Sequence, residues 1–172
     1  WPEGLSSAGN INNKFILNFF EKLVKWIYKY TDKIFYSSKG FKSSICEKGD
    51  FSHKMFYLPN WAENVFSKTE KNIVIPELPK GFIVMFAGNI GEAQDFVNVM
   101  NAAKLLKENE KIKFVIVGDG RKKQWVENFI TQNGLEKSVF CLGRHPLNTM
   151  PSFFERADVM LVSLKDETIF NL

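Results

Sequence analysis

Phe82-Ile83-Val84-Met85-Phe86-Ala87-Gly88-Asn89-Ile90-Gly91 is an apolar run that ends in a glycine turn. Lys113-Phe114-Val115-Ile116-Val117-Gly118-Asp119-Gly120 repeats the unit farther along the chain, and a helical stretch follows each. Repeated strand, turn and helix is the pattern of parallel strands joined by crossover helices. The spacing predicts a strand at 82–87, a helix near 93–109, a strand at 113–117 and a helix near 122–132 that stops at Asn133-Gly134. It then predicts a strand at Val139-Phe140-Cys141-Leu142, a short helix at 150–156 with Pro151 in its first turn, and a strand at 159–163. Such alternation specifies a doubly wound, Rossmann-like α/β domain with a parallel sheet. Ligands of these sheets bind where strand C-termini meet helix N-termini. Both glycine turns therefore point to one functional edge.

Upstream, residues from about 12 to 30 read as a helix, with Phe15, Ile16, Phe19, Leu23, Trp26, Ile27 and Tyr30 on one broad side. Lys14, Asn18, Glu21, Lys22, Lys25 and Lys29 share the other side. Two readings fit: a helix packed in its own domain, or an interfacial helix with lysines above and aromatics below. A short strand at 33–37, a short helix at 41–47 and a strand at 55–58 follow. Residues 61–80 lose periodicity, hold Pro76 and Pro79, and read as a linker.

The 172 residues carry a net charge of +4, are 45% hydrophobic and 24% charged, and include 17 Phe. That is globular composition. The modest positive charge admits anionic partners without demanding them. Cys46 and Cys141 sit in no metal or redox spacing and read as reduced thiols of a cytoplasmic protein. No apolar run is long enough to span a membrane. The chain opens on Trp1-Pro2-Glu3 and stops at Phe170-Asn171-Leu172, directly after a strand, which reads as an excerpt of a longer protein.

The Gly88-Asn89-Ile90-Gly91 turn lets backbone N–H groups approach a phosphate, aided by the following helix N-terminus; the alternative is a tight turn that only needs glycine. Gly118-Asp119-Gly120 lacks the third glycine of a dinucleotide fingerprint, which argues against a nicotinamide or flavin site. Arg121, Lys122 and Lys123 stand at a helix start, where cations oppose the dipole, so either an anion sits nearby or the turn is simply solvated. Arg144 and His145 follow the third strand, and Lys165, Asp166 and Glu167 follow the fourth. No metal-ligand spacing, no Walker loop and no basic-aromatic pattern for nucleic acid is present.

With these residues in order, the chain resembles the bacterial glycosyltransferases of family 4, of the two-domain GT-B type. Within them it is most similar to the subgroup that builds capsule and O-antigen sugars, including acetamido-sugar transferases. The stretches that carry the resemblance are Trp1-Pro2-Glu3, Leu58-Pro59-Asn60-Trp61, Phe86 to Gln94, Phe114 to Gly120, Leu142-Gly143-Arg144 and Ala157 to Leu164. The resemblance implies the tail of an acceptor-side domain over 1–66, a linker over 67–80 and the first half of a donor-side domain over 81–172, both domains incomplete.

It further implies a retaining, metal-independent transfer of a hexosyl or acetamido sugar from a nucleotide-diphosphate donor, UDP rather than GDP, with no cofactor. The acceptor would be a lipid-linked glycan at the inner face of the cytoplasmic membrane, and residues 13–30 would touch anionic lipid. Gly88, Asn89, Gly91, Gln94, Phe170, Asn171 and Leu172 would meet the diphosphate. Gly118, Arg144, His145, Asp166 and Glu167 would border the nucleoside. The family commonly carries Arg and Lys where this chain has Asn89 and Gln94, whose amides still donate hydrogen bonds. Catalytic side chains are expected outside the chain, so these residues alone should be inactive. The alternatives are a non-catalytic nucleotide- or membrane-binding fragment and a GT-B nucleotide-sugar 2-epimerase, which would need catalytic carboxylates and a His that the chain does not display.

Overall fold

The computed structural model describes residues 13–67 and 73–167. They divide into two compact units, one up to Trp61 together with Asp166 and Glu167, the other from Ala62 to Lys165. In the first unit α1 spans Lys14–Tyr30, β1 Ile34–Tyr36, α2 Phe41–Cys46 and β2 Met55–Tyr57. Asn13 caps α1, its Oδ1 accepting from the Phe15 N–H at 3.0 Å. At the other end the Lys54 ammonium donates to the carbonyls of Lys29 and Thr31 at 3.0 and 2.8 Å. That satisfies carbonyls that a helix end leaves without partners. β1 and β2 pair in parallel, Ile34 opposite Met55 and Tyr36 opposite Tyr57.

The inward arc of α1 differs from the one the spacing suggests. Val24 is buried and Leu17, Phe20 and Tyr28 are half-buried. The broad apolar side read from the sequence stays exposed, with Phe15 at 88%, Phe19 at 64% and Trp26 at 60%. The helix is apolar around most of its circumference, so periodicity alone does not select the arc that is buried; Val24 from that arc, Ile34 and Ile45 are the buried apolar residues of this unit among those described.

The second unit holds β3 (Phe82–Asn89), α3 (Phe96–Leu105), β4 (Ile112–Asp119), α4 (Lys123–Asn133), β5 (Val139–Gly143), α5 (Met150–Phe154) and β6 (Val159–Met160). Its four strands are parallel in the order β5-β4-β3-β6. β4 lies on one side of β3 and β6 on the other, so strand order reverses at β3, the kind of switch point where open α/β sheets bind ligands.

Alternation along the strands builds two cores. Phe86, Phe114 and Ile116 face α3 and α4, meeting Phe96, Met100, Val126 and Ile130. Ile83, Met85, Val115 and Val117 face the other way and meet Phe153 of α5 and Ile75. Ile73 and Leu78 pack there too. The described part of the presumed linker is thus a strap of apolar residues that covers the second face of the sheet, a requirement of parallel sheets.

Two boundaries differ from the expected ones for reasons the structure shows. α3 starts at Phe96, not near 93, because Asp95 takes a left-handed conformation at φ 46° and a loop precedes it. β6 ends at Met160, not 163. Leu161 N–H still reaches the Met85 carbonyl at 2.7 Å, but then the Ser163 hydroxyl donates to the Gln94 carbonyl at 2.6 Å and the Lys165 N–H to the Ala93 carbonyl at 2.8 Å. Those bonds draw the chain off the ladder toward the loop before α3. α4 ends as expected on Gly134, at φ 62°.

Candidate functional site

The two glycine turns are one structure. Gly88 pairs with Gly118 and Asn89 with Asp119 across β3 and β4. A Cβ on Gly118 would lie 1.8 Å from the Gly88 carbonyl oxygen, and its φ is 147°. Only glycine fits there. Beyond it the turns are knitted together: Ile90 N–H donates to the Asp119 carbonyl at 2.8 Å and Lys122 N–H to the Ile90 carbonyl at 2.9 Å. The Asp119 carboxylate accepts from Gly120 N–H at 2.7 Å.

Above this bare backbone floor opens a cleft of about 690 Å³. Gly88 and Asn89 contribute from β3, Val117, Gly118 and Asp119 from β4, and Arg144 to Leu147 with Met150 from the segment after β5. The left-handed Gly143, at φ 76°, turns the chain into that segment. His145 is held rather than free: its ring packs edge-on against Phe153 at 4.9 Å and its Nε2 lies 3.2 Å from the Leu142 carbonyl. Arg144 is exposed at the rim. The lining combines apolar side chains (Val117, Pro146, Leu147, Met150) with polar ones (Asn89, Asp119, Arg144), the mixture usual in small-molecule pockets. Among the described lining residues the ionisable side chains are Asp119, Arg144 and His145.

Five residues singled out from sequence come together here: Gly88, Asn89, Gly118, Arg144 and His145. Gly91 and Gln94 are not among the residues that line the cleft. Gly91 is buried and its N–H donates to the Gln94 side-chain oxygen at 3.1 Å. Gly91 borders instead a hollow of about 70 Å³ shared with Glu92, Lys122 and Lys165. Asp166 and Glu167 follow Lys165 and are not among the lining residues. Phe170, Asn171 and Leu172 lie outside the described residues. Sequence reasoning passed over Val117, Asp119, Pro146, Leu147 and Met150. Asp119 had a signal, the residue between two glycines of a strand-ending turn; Met150 is a contact that only the return of α5 over the sheet creates. Cys141, in β5, packs against the core beneath α4, and burial pushes its thiol up to about 11.

The sequence is 28% identical to a probable glycosyltransferase, WbjE of Pseudomonas aeruginosa, across all of this chain and 44% of that protein. It is 28% identical to WcaI of Escherichia coli K12, a candidate colanic acid biosynthesis glycosyl transferase, across 78% of this chain and 34% of that one. The chain thus spans less than half the length of these curated relatives. Among solved structures, that of Anabaena HepE in complex with UDP-glucose superposes with a TM-score of 0.64 at 15% identity, covering 82% of this chain and 40% of that one. The shared fold is the GT-B type. Residues 67–169, more than half of the chain, match the family model described as glycosyl transferases group 1, and the chain belongs to that family.

Proposed function

We propose that this chain is part of a retaining glycosyltransferase. It would move a hexosyl or acetamido sugar from a nucleotide-diphosphate donor, UDP rather than GDP, to a lipid-linked or glycan acceptor in capsule or O-antigen assembly. The observation that carries the reading is the cleft at the sheet's switch point, floored by the Gly88–Gly118 pair. HepE was solved with UDP-glucose and WcaI is described by colanic acid biosynthesis, and both support the substrate class. On this reading residues 1–66 belong to the acceptor side, 67–80 connect, and 81–172 belong to the donor side. Gly88, Asn89, Gly91 and Gln94 with Phe170, Asn171 and Leu172 serve the diphosphate; Gly118, Arg144, His145, Asp166 and Glu167 serve the nucleoside.

The chemistry asked of these groups is electrostatic. As the sugar becomes oxocarbenium-like, charge grows on the departing diphosphate, and donors already fixed in place stabilise it without reorganising. The Asn89 amide at the cleft is such a donor; the Ile90 and Gly91 N–H groups are bonded to the Asp119 carbonyl and the Gln94 side chain and hold the turn's shape. On this reading the residues that activate the acceptor lie outside these 172 residues, which alone should transfer no sugar. Calorimetric titration of the full-length protein with UDP, GDP and their sugars tests the reading. UDP binding that weakens about tenfold in Asn89→Ala, the loss of one charge-assisted hydrogen bond, is the expected result. No nucleotide binding by the wild-type protein would refute it.

The bare face of α1 has a place in this scheme. No helix among the described residues is long and apolar enough to cross a membrane. An exposed aromatic stripe edged by Lys14, Lys22, Lys25 and Lys29 suits a helix lying on anionic lipid, at the inner face of the cytoplasmic membrane. Co-sedimentation with anionic vesicles should fall sharply when Lys22, Lys25 and Lys29 are changed to Glu. Unaltered binding would remove the electrostatic anchor from the proposal.

A further inference from the structure

Glu92 lies in the loop between β3 and α3, and both of its carboxylate oxygens are engaged. Oε1 is 3.1 Å from the Lys122 ammonium and Oε2 is 3.7 Å from that of Lys165. The two lysines come from different elements, the start of α4 and the segment after β6. Each of the three side chains is between 31% and 39% exposed. Lys122 sits where a cation opposes the dipole of α4, and no side chain caps that helix. The carboxylate of Glu92 supplies the missing anion. At the same loop the Lys165 N–H donates to the Ala93 carbonyl and the Ser163 hydroxyl to the Gln94 carbonyl. Gln94 in turn holds Gly91 N–H. Glu92 thus stands where the β3 turn, the α4 start and the segment after β6 meet; Asp95 lines the same hollow, but the ion pairs to Lys122 and Lys165 are made by Glu92.

We infer that Glu92 is a positioning residue: its two ion pairs latch residues 161–165 and the start of α4 onto the β3 turn, and so fix Asn89 and the Gly88 backbone at the cleft. Without the carboxylate, the two ammonium groups at this hollow lose the anion that both pair with, and their mutual repulsion loosens the segments that carry them. The β3, β4 and β5 ladders do not depend on the latch; of the latched segment only Leu161 touches the sheet, through its N–H on the Met85 carbonyl and its side chain on the core. The effect falls on the geometry of the turn, not on the fold. The ligand half of the consequence rests on the nucleotide reading above; the mechanical half does not.

The isosteric Glu92→Gln removes the charge and keeps the shape. In hydrogen exchange on the full-length protein, amides of 161–165 should exchange about three- to fivefold faster in the variant, the size expected of partly exposed ion pairs, with β3 and β4 unchanged. Affinity for UDP should fall by a similar factor, about three- to fivefold, while affinity for uridine, which lacks the phosphates, stays the same. A simple loss of folding would lower both. Lys165→Gln on top of Glu92→Gln should add little, because the two act through one contact. Unchanged exchange at 161–165 in Glu92→Gln overturns the inference. Faster exchange there in a protein whose wild type binds neither UDP nor uridine upholds the latch and rejects the nucleotide reading instead.

Discussion

At the scale of residues the decisive contact is between two glycines. Gly118 passes so close to Gly88 that a methyl group would overlap its carbonyl oxygen, at 1.8 Å, and its φ of 147° is one L side chains avoid. Gly118→Ala should cost about 2–4 kcal/mol in urea unfolding, from backbone strain together with overpacking. A cost under about 0.5 kcal/mol, that of an ordinary surface change, would mean that the turns are not locked together. Both turns were legible in the sequence as punctuation after apolar runs. Their pairing was not, because register is fixed by the opposing strand and no local pattern states it. Cys141 makes a second prediction. Burial raises its thiol from 9.0 to about 11, ahead of smaller effects from Glu127 and Lys123. The folded chain keeps a proton that the unfolded chain has released, so stability is full below 9.0 and declines as pH rises toward about 11. Urea midpoints followed across that window should fall less steeply in Cys141→Ala.

At the scale of elements, α5 bears more than its length suggests. Phe153 is fully buried on the second face of the sheet, and the His145 ring rests on it. Phe153→Ala should destabilise the second unit by about 3–5 kcal/mol and loosen the cleft wall at the same time. Calorimetric unfolding reads the first effect, and exchange of amides 143–147 the second. A destabilised variant with an unaltered 143–147 segment would separate the wall from the core. The elements most legible in the sequence were those whose cause is local, such as the helix stop at Gly134 and the apolar runs of β3 and β4. The others are set from a distance. β6 is short because Ser163 and Lys165 bond to the loop before α3. The strap at 73–78 is ordered because Ile75 has a sheet face to cover. Neither cause is written in the neighbouring residues.

At the scale of the molecule, the cleft belongs to one unit alone: every lining residue lies between Ala62 and Lys165. The ligand linkage should follow the same division. A ligand that binds the folded state at about 100 times its dissociation constant adds about 2.7 kcal/mol of stability to the unit that holds it. UDP at that ratio should slow exchange at 86–91, 117–120 and 142–147, where backbone meets the cleft, and deeper in β3 and β4, whose opening it must resist. Residues 14–57 carry none of those contacts. Their exchange should be the same with and without nucleotide in the 172-residue chain. Protection spread evenly over 14–57 and 82–160 would mean that the two units open as one, and that the division seen in their contacts does not govern their stability. Protection confined to 14–57 would move the nucleotide site away from the Gly88–Gly118 floor altogether.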